Sequence, residues 1–291
     1  MIITRFAPSP TGGLHLGHVY SARAAWTLAR APQPFEQRAP EQGARAASGR
    51  FVLRLEDIDT ERCRPEFADA ILADLAWLGL DWDGPVWRQS DRGPVYAAAL
   101  AHLRDAGLAY PCFCTRADIA AAASAQHGPD GAIYPGTCRS LSDAERMARS
   151  QSMSPAWRLD VAAAAARAGP LLWHDDDAGT VAADPCAGGD IVIARRGIGA
   201  AYALAVVVDD AAQGVTDVVR GTDLFAATHV QRLLQALLGL PAPRYHHHRL
   251  VLASDGRRLA KRDTAQTIAA MRAAGATPHE IFIMLDMAPL A

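Results

Sequence analysis

The stretch RFAPSPTGGLHLGH (5–18) decides how this chain begins to fold. Its two prolines and two adjacent glycines form a stiff loop with few side chains, placed after the apolar run Ile2–Phe6. Beyond that loop, apolar residues recur with helical spacing at Val19, Ala22, Trp26 and Ala29. The sequence therefore predicts a strand, a loop and then a helix that begins near Gly17.

A helix that begins at this point would offer an anion site. Its first turn has unpaired backbone N–H groups and the positive end of the helix dipole, which together favour phosphate. Gly17 lets a ligand come close to the backbone, while His15 and His18 face the same side of the helix start. On this spacing alone, a capped helix with two surface histidines is the better interpretation.

The elements that follow extend this start into an α/β pattern. FVLRLED (51–57) alternates like a strand, and PEFADAILADLAWLGL (65–80) has the spacing of a helix. We expect an exposed loop at 31–48 and a mostly parallel sheet. Residues 190–220 have buried-strand composition, with AVVVDD (205–210) as the most continuous β-branched run. The C-terminal part reads as helical, with a break at Gly-Ala-Thr-Pro.

Composition narrows the class of protein without naming a function. The chain has 291 residues and a net charge of −2, so overall charge does not indicate a nucleic-acid binder. The sequence contains no apolar run of the roughly 18 residues that a membrane span needs, and its start lacks a secretory signal. We therefore expect a cytoplasmic protein with reduced cysteines.

Three of the five cysteines are clustered. C-F-C (112–114) and Cys138 would supply three thiolates of a tetrahedral structural zinc site. Chemistry alone makes His127 the obvious fourth ligand, and three thiols without a metal is the alternative interpretation. Cys63 and Cys186 stand apart as ordinary thiols.

A second chemical signal is the basic segment GRRLAKRDTA (256–265) near the C-terminus. A solvated basic loop is the simpler interpretation of this segment taken by itself. If it faced the helix start at Gly17, its four cations, Arg257, Arg258, Lys261 and Arg262, would stabilise a leaving pyrophosphate.

Taken together, these segments resemble the class I aminoacyl-tRNA synthetases in their glutamyl form. FAPSPTGGLHLGH matches the first signature of that family and RLAKR (258–262) its second, and GRFVLRLEDIDTER, YALAVVVDDAAQGVTDVVRGTDL and HHHRLVLASDGRRLAKR lie in the same order as the family's blocks. The resemblance implies an α/β, Rossmann-like class I synthetase catalytic domain, with an inserted zinc-bearing subdomain and a short C-terminal helical region. The implied limits are 1–110 and 190–245 for the catalytic domain, 111–189 for the insertion and 246–291 for the lysine loop and helices.

The same resemblance implies the substrate site. Glutamate would bind at strand ends, where open α/β sheets hold ligands, through Arg5, Ser9, Glu56, Tyr202 and Arg220. ATP with Mg²⁺ would bind at Gly17, His15, His18 and Lys261, the last three being catalytic. YPGTC matches the family's Tyr-x-x-x-Cys, which makes Tyr134 the fourth zinc ligand beside Cys112, Cys114 and Cys138. Individually, Arg5 or Glu56 could equally form a structural ion pair, and Tyr202 could be a core residue.

The acceptor follows from the length of the chain. Only 29 residues follow Arg262 in a chain of 291, so we expect no anticodon-binding domain. This architecture resembles a truncated branch of the family, which transfers glutamate to queuosine at the wobble position of tRNA(Asp). The alternatives are a minimal enzyme charging tRNA(Glu) and a non-catalytic zinc-containing RNA-binding module. A monomer is the default, and Arg62 is a possible RNA contact. The chain departs from the family at Ala260, usually serine, and at Arg249, commonly proline.

Overall fold

The fold is seen in a computed structural model that describes residues 1–31, 49–115, 117–119, 133–252 and 267–288, with the backbone alone of 127–128 and 131–132. The strands within these residues are β1 (Ile3–Phe6), β2 (Arg50–Leu55), β3 (Trp87–Arg88), β4 (Ala109–Cys112), β5 (His127–Gly128), β6 (Gly131–Ala132), β7 (Ala156–Leu159), β8 (Leu172–Asp175), β9 (Gly179–Ala182), β10 (Val192–Arg195), β11 (Gly199–Ala200), β12 (Asp217–Gly221) and β13 (Arg244–His248). The α-helices are α1 (Leu16–Arg30), α2 (Pro65–Trp77), α3 (Gly93–Asp105), α4 (Asp143–Ser152), α5 (Val161–Ala168), α6 (Tyr202–Ala212), α7 (Phe225–Leu237), α8 (Ile268–Ala273) and α9 (Pro278–Met287).

The start of the chain forms the strand, loop and helix that its opening stretch predicts. β1 pairs in parallel with β2, with Ile3 opposite Arg50, and β2 pairs in parallel with β3. Helix α1 begins at Leu16, one residue before the predicted start, and α2 ends at Trp77 rather than at residue 80. The parallel beginning of the sheet is therefore confirmed. The predicted loop at 31–48 lies outside the described residues from residue 32 onward.

A second set of strands continues the sheet on the other side of β1. The backbone N–H of Thr216 donates to the carbonyl of Ile3 at 2.9 Å, which lays β12 beside β1. β12 pairs in parallel with β13 and β13 with β8, while β9 is antiparallel to β8. The carboxyl ends of β1, β2 and β12 consequently meet at one edge, where open α/β sheets bind ligands.

A separate antiparallel sheet has the strand order β11, β10, β7, β4. It combines β7, from within the predicted insertion, with β10, which begins after residue 189. Conversely, β8 and β9 fall within 111–189 but join the sheet of β12 and β13. The mixed parallel and antiparallel sheets confirm the α/β class. The domain limits stay a prediction.

The run AVVVDD (205–210) is helical, so its predicted strand is wrong. It lies inside α6, where residues 204–210 are all buried. Its valines belong to the core that contains Leu103 of α3 and Leu233 of α7. Valine is less favourable in a helix than alanine by no more than about 0.7 kcal/mol, whereas full burial of its side chain contributes about 1.5–3 kcal/mol. Tertiary burial therefore outweighs the local preference of β-branched residues.

The C-terminal helices pack back onto the first part of the chain. Gly275 has a φ of +93°, and Thr277 caps α9 by accepting a hydrogen bond from the backbone N–H of Glu280. Ile281 and Leu285 are buried in the core formed around α1, β2 and α2. The predicted helical end with its break is confirmed. None of the described helices has both the length and the apolar character that crossing a bilayer requires.

Candidate active site

A cavity of about 730 Å³ opens at the sheet edge where β1, β2 and β12 end. Its walls contain all of the predicted glutamate and ATP residues for which the structure describes a position, namely Arg5, Ser9, His15, Gly17, His18, Glu56, Tyr202 and Arg220. These residues come from segments up to 215 positions apart, from Arg5 to Arg220. The fold therefore brings the predicted set together.

The two signature histidines lie at the start of α1. Their rings stack with centroids 3.7 Å apart, and the backbone N–H of His15 donates to Nδ1 of His18 at 3.2 Å. A Cβ on Gly17 would come within 3.2 Å of the His15 ring, which leaves a side chain little room there. The expectation that both histidines face one side is confirmed.

The segment with Lys261 and Ala260 lies outside the described residues. The residues on either side of it border the same pocket. Leu250 and Val251 line the cavity, and Thr267 forms a bridge with His15. The chain therefore leaves and returns beside the helix start.

Arg5 enters the pocket from β1 beside a buried aspartate. Its Nε lies 3.3 Å from Oδ1 of Asp210, and its Nη1 donates to the carbonyl of Val219 at 3.1 Å. The same Oδ1 accepts a 2.8 Å hydrogen bond from the fully buried Arg54. Burial alone would raise the pKa of Asp210, but the charges of Arg5 and Arg54 lower it below its ordinary value. Asp210 is therefore ionised and holds two guanidinium groups.

Glu56 and Tyr202 also line the pocket. Glu56 follows β2, and its backbone N–H donates to the carbonyl of Pro8 at 3.0 Å. Burial raises the pKa of Glu56, although Arg54 and Arg5 oppose that shift. Tyr202 is the first residue of α6 and follows the end of β11 at Ala200 by two residues. It lines the pocket with 38% of its surface exposed.

Arg220, on β12, is held entirely by neutral groups. Its Nε donates to Nε2 of His247 at 3.1 Å, its Nη1 to Oε1 of Gln231 at 2.7 Å, and its Nη2 to Oγ1 of Thr228 at 2.5 Å. Only 5% of the residue is exposed. No carboxylate within the described parts of the chain lies within 4 Å of this guanidinium. Asp210 acts on this guanidinium only from a longer distance. A buried positive charge with no carboxylate in direct contact favours an anionic ligand in the pocket.

His247 and Asp175 stand behind Arg220, and sequence reasoning missed both as site residues. Nδ1 of His247 lies 2.7 Å from Oδ2 of Asp175, whose Oδ1 accepts from the backbone N–H groups of Asp177 and Ala178. Burial and the charge of Arg220 lower the pKa of His247 to about 4. His247 is therefore neutral at pH 7, protonated at Nδ1 and free to accept at Nε2. A separation of 72 positions gives no sequence signal for this contact.

Asp209 was also missed as a site residue. Its carboxylate lies 3.7 Å from Nε of Arg54. It accepts hydrogen bonds from Tyr96 at 2.6 Å, from Nε of Arg92 at 2.5 Å and from Gln89 at 2.9 Å. Two adjacent aspartates inside an apolar run were the available signal, since buried carboxylates need cationic partners.

The clustered cysteines form a compact group with Tyr134. The sulfur atoms of Cys112, Cys114 and Cys138 lie within 4.8 Å of one another. Oη of Tyr134 is 3.5 Å from Sγ of Cys112 and 3.6 Å from Sγ of Cys114. A zinc ion with four ligands at about 2.3 Å needs ligand atoms roughly 3.8 Å apart, so this donor set fits a tetrahedral ion. The side chain of His127 lies outside the described residues.

One arginine and one backbone N–H group donate hydrogen bonds to sulfur atoms of this cluster. Nε of Arg158 donates to Sγ of Cys112 at 3.3 Å, and its guanidinium lies 3.8 Å from the centre of the Tyr134 ring. The backbone N–H of Phe113 donates to Sγ of Cys138 at 3.4 Å. Burial raises the pKa of the Cys114 thiol to about 11. At Cys138, by contrast, hydrogen bonds from Tyr134 and from the backbone N–H of Phe113 outweigh burial and lower the pKa of the thiol. Donors to sulfur favour thiolates, which are the form that binds a metal.

A smaller cavity of about 260 Å³ adjoins the main pocket and shares Ser9, Glu56 and Tyr202 with it. Arg62 and Arg195 also line this cavity, and Nη1 of Arg195 pairs with Asp59 at 3.0 Å. Arg62 therefore lines the same cavity as Ser9, Glu56 and Tyr202.

These features match a known family. The chain belongs to the tRNA synthetases class I (E and Q), catalytic domain, whose profile matches residues 1–34 and 41–287. The predicted resemblance is thus confirmed. More particularly, the sequence is 48% identical over 293 residues to the glutamyl-Q tRNA(Asp) synthetase of Rhodobacter capsulatus, covering 96% of this chain and 98% of that protein. It is 49% identical to the glutamyl-Q tRNA(Asp) synthetase of Nocardia farcinica, covering 97% and 82%.

Solved structures agree with this assignment. The fold is similar to a glutamate tRNA ligase from Elizabethkingia meningosepticum in complex with its amino acid, with a TM-score of 0.75 and 25% identity over 98% of this chain. The chain spans 60% of the length of that structure. Mycobacterium tuberculosis methionyl-tRNA synthetase shares the fold, with a TM-score of 0.59 and 11% identity.

Proposed function

We propose that this protein activates glutamate with ATP and transfers it to queuosine at the wobble position of tRNA(Asp). The observation that carries the glutamate part is Arg220, a buried guanidinium that lines the pocket with neutral partners within the described residues. The names of the relatives at 48% and 49% identity support the acceptor.

In this proposal the amino-acid end of the pocket reads both charges of glutamate. Arg220, with Arg5 nearby, binds the side-chain carboxylate, since guanidinium groups match carboxylates in geometry and charge. Glu56 binds the α-ammonium group, whose charge favours the ionised carboxylate. Ser9 and Tyr202 complete the walls.

The nucleotide end binds ATP at the start of α1. The α-carboxylate of glutamate attacks the α-phosphorus, the bond to the bridging oxygen breaks, and pyrophosphate leaves with its electron pair. His15, His18 and Lys261 stabilise the charge that grows on the phosphates, and Gly17 leaves room for them. Mg²⁺ bound to ATP would neutralise part of the phosphate charge.

In the second step a hydroxyl of queuosine attacks the activated carbonyl, and AMP leaves. The cavity that contains Arg62 and shares Ser9, Glu56 and Tyr202 supports entry of the acceptor from that side. No covalent enzyme intermediate is needed, because the chain contributes binding and charge rather than a nucleophile.

We further propose one structural zinc ion bound by Cys112, Cys114, Cys138 and Tyr134 in a subdomain inserted at 111–189. The spacing of the sulfur atoms and the donors from Arg158 and Phe113 support it. Metal analysis of purified protein should give one zinc per chain, and Cys114→Ser should lower that ratio. Wild-type protein that contains no zinc would remove this part of the proposal. The monomeric state stays a prediction.

Two assays test the proposed reaction. Exchange of labelled pyrophosphate into ATP should depend on glutamate without any tRNA, and its absence would overturn the catalytic proposal in favour of a non-catalytic module. Labelled glutamate should then be offered to tRNA(Asp) with queuosine, to tRNA(Asp) without it and to tRNA(Glu). We expect transfer to the first alone, whereas transfer only to tRNA(Glu) would identify a minimal tRNA(Glu)-charging enzyme.

A further inference from the structure

The guanidinium of Arg220 is oriented by three hydrogen bonds on one side. Nε, Nη1 and Nη2 each give one N–H to His247, Gln231 and Thr228 respectively. An arginine has five such donors. Within the described residues, the remaining two have no acceptor, and Arg220 lines the pocket. The orientation of the guanidinium plane therefore depends on three groups, each of which must accept a hydrogen bond from it.

Two of those acceptors are amide and hydroxyl oxygens, but the third is a titratable ring. His247 can accept from Arg220 only at an unprotonated Nε2, so its single proton must sit on Nδ1. Oδ2 of Asp175, 2.7 Å away, requires a proton on Nδ1. Oδ1 of Asp175 is already held by the N–H groups of Asp177 and Ala178 at 3.2 and 3.0 Å. The carboxylate therefore cannot turn away from the ring.

We propose that Asp175 and His247 act as a positioning pair for Arg220, fixing the ring tautomer that aims the guanidinium at the side-chain carboxylate of glutamate and so favours glutamate over glutamine. The inference rests on the proposed function and deepens it. Neither residue touches the substrate in this arrangement, since both act through Arg220.

Aromatic rings and burial hold the side chain of His247 in place. Trp173, Phe225 and Tyr245 pack their rings around His247 with centroids 5.9, 5.1 and 5.8 Å away, and His247 is 4% exposed. Little water reaches this position to replace a lost hydrogen bond. A wrong tautomer would place an N–H on Nε2 directly against the N–H on Nε of Arg220.

The sharpest test is Asp175→Asn. In this variant the amide oxygen stays with the two backbone N–H groups, and the amide NH₂ faces Nδ1 of His247. The ring must then accept at Nδ1 and carry its proton on Nε2, which opposes Arg220. We expect ¹⁵N NMR of the ring to report the exchanged tautomer. We also expect the KM for glutamate in pyrophosphate exchange to rise about tenfold or more, while the KM for ATP stays within twofold.

A matched pair of variants at position 247 separates positioning from simple packing. In His247→Gln, Oε1 can replace Nε2 as acceptor for Arg220, although the contact with Asp175 is lost. In His247→Asn, the amide can still donate to Asp175, but Arg220 loses its acceptor. The positioning role predicts that the Gln variant keeps a glutamate KM close to wild type and that the Asn variant does not. It also predicts that the preference for glutamate over glutamine in kcat/KM falls only in the Asn variant.

The outcomes are distinct. Unchanged glutamate KM and selectivity in both Asp175→Asn and His247→Asn, with each protein melting as wild type does, would overturn the inference alone. A Gln variant as impaired as the Asn variant would assign His247 a packing role and also overturn it. Wild-type protein that neither supports glutamate-dependent exchange nor binds glutamate in calorimetry would overturn the proposed function and this inference together.

Discussion

Two buried arginines, Arg5 and Arg220, face the same pocket with opposite surroundings. Arg5 shares the carboxylate of Asp210 with Arg54, so the chain itself supplies its counter-charge. Arg220 has neutral acceptors only, among the described residues. Both are 5% exposed, so solvent does not explain the difference.

The difference separates a charge used for folding from one kept for a ligand. Burying an ion costs several kcal/mol unless a partner offsets it. Around Asp210 the partners are built in, and the network ties β1, β2 and α6 together. At Arg220 no carboxylate is in direct contact, so a larger part of this cost is left for an anionic ligand to offset.

The largest effect is expected from removing the charge of Asp210, which pairs with Arg5 and Arg54. Asp210→Asn should lower the free energy of unfolding by about 3–5 kcal/mol, because it leaves Arg5 and Arg54 buried without their shared carboxylate. Urea unfolding monitored by circular dichroism measures this change. Asp286→Asn is the control, since its pair with Arg23 is 2.7 Å long but exposed, and it should cost less than about 1 kcal/mol. Equal losses in the two variants would contradict the distinction.

Removing the charge of Arg220 should affect glutamate activation more than the stability of the protein. Arg220→Met removes the guanidinium that would bind the side-chain carboxylate, so we expect glutamate kcat/KM in pyrophosphate exchange to fall about 100-fold or more, which corresponds to about 3 kcal/mol. The free energy of unfolding should change by no more than about 1 kcal/mol, since relief of a buried charge offsets the lost hydrogen bonds. A variant that unfolds as readily as Asp210→Asn would show that Arg220 is structural.

The sequence predicted one member of each arrangement and missed its supports. Arg5 and Arg220 were predicted from the resemblance of their sequence blocks to the glutamyl form of the family, because each block is continuous in the sequence. Asp210 was hidden in AVVVDD, which local β-propensity assigned to a strand. Its burial comes from α3 and α7 packing around α6. Such packing is decided by the whole fold and is not visible in a window of six residues.

The residues that support Arg220 were harder to predict from the sequence. Asp175 and His247 are 72 residues apart, and they meet only because β8 pairs with β13. Neighbouring histidines on β13 have different partners, because side chains alternate along a strand. His246 pairs with Asp176 and Asp217, while His247 pairs with Asp175.

The neighbouring residues His246 and His247 give a prediction about pH dependence, with a smaller expected effect on stability. Burial and Arg220 lower the pKa of His247 to about 4, so the unfolded chain takes up a proton first as the pH falls below 6.5. Its contribution is present above pH 6.5 and is lost toward pH 4. We expect wild-type protein to lose about 2 kcal/mol more than His247→Gln between pH 7 and pH 5.

His246 should act with the opposite sign. Although burial lowers its pKa, Asp217 and Asp176 raise it above the ordinary value. Its contribution is present below pH 6.5 and is lost as the pH rises through the raised value. His246→Gln should therefore keep the acid loss that His247→Gln lacks. Parallel pH dependence in the two variants, measured by urea unfolding, would contradict this assignment.

The smallest expected effect comes from removing one neutral acceptor of Arg220. Thr228→Val keeps the shape of the side chain but removes the hydroxyl that accepts from Nη2. Because His247 and Gln231 still hold the fork, we expect a loss of only about 1 kcal/mol, seen as a roughly fivefold rise in the glutamate KM. Thr4→Val is the matched control, since the hydroxyl of Thr4 is equally buried but donates to the carbonyl of Ala25 at 2.8 Å. It should reduce stability by a similar amount and leave the glutamate KM unchanged. If both variants raised the glutamate KM equally, the effect would come from general destabilisation of the fold. The three neutral acceptors of Arg220 would then have no specific part in glutamate binding.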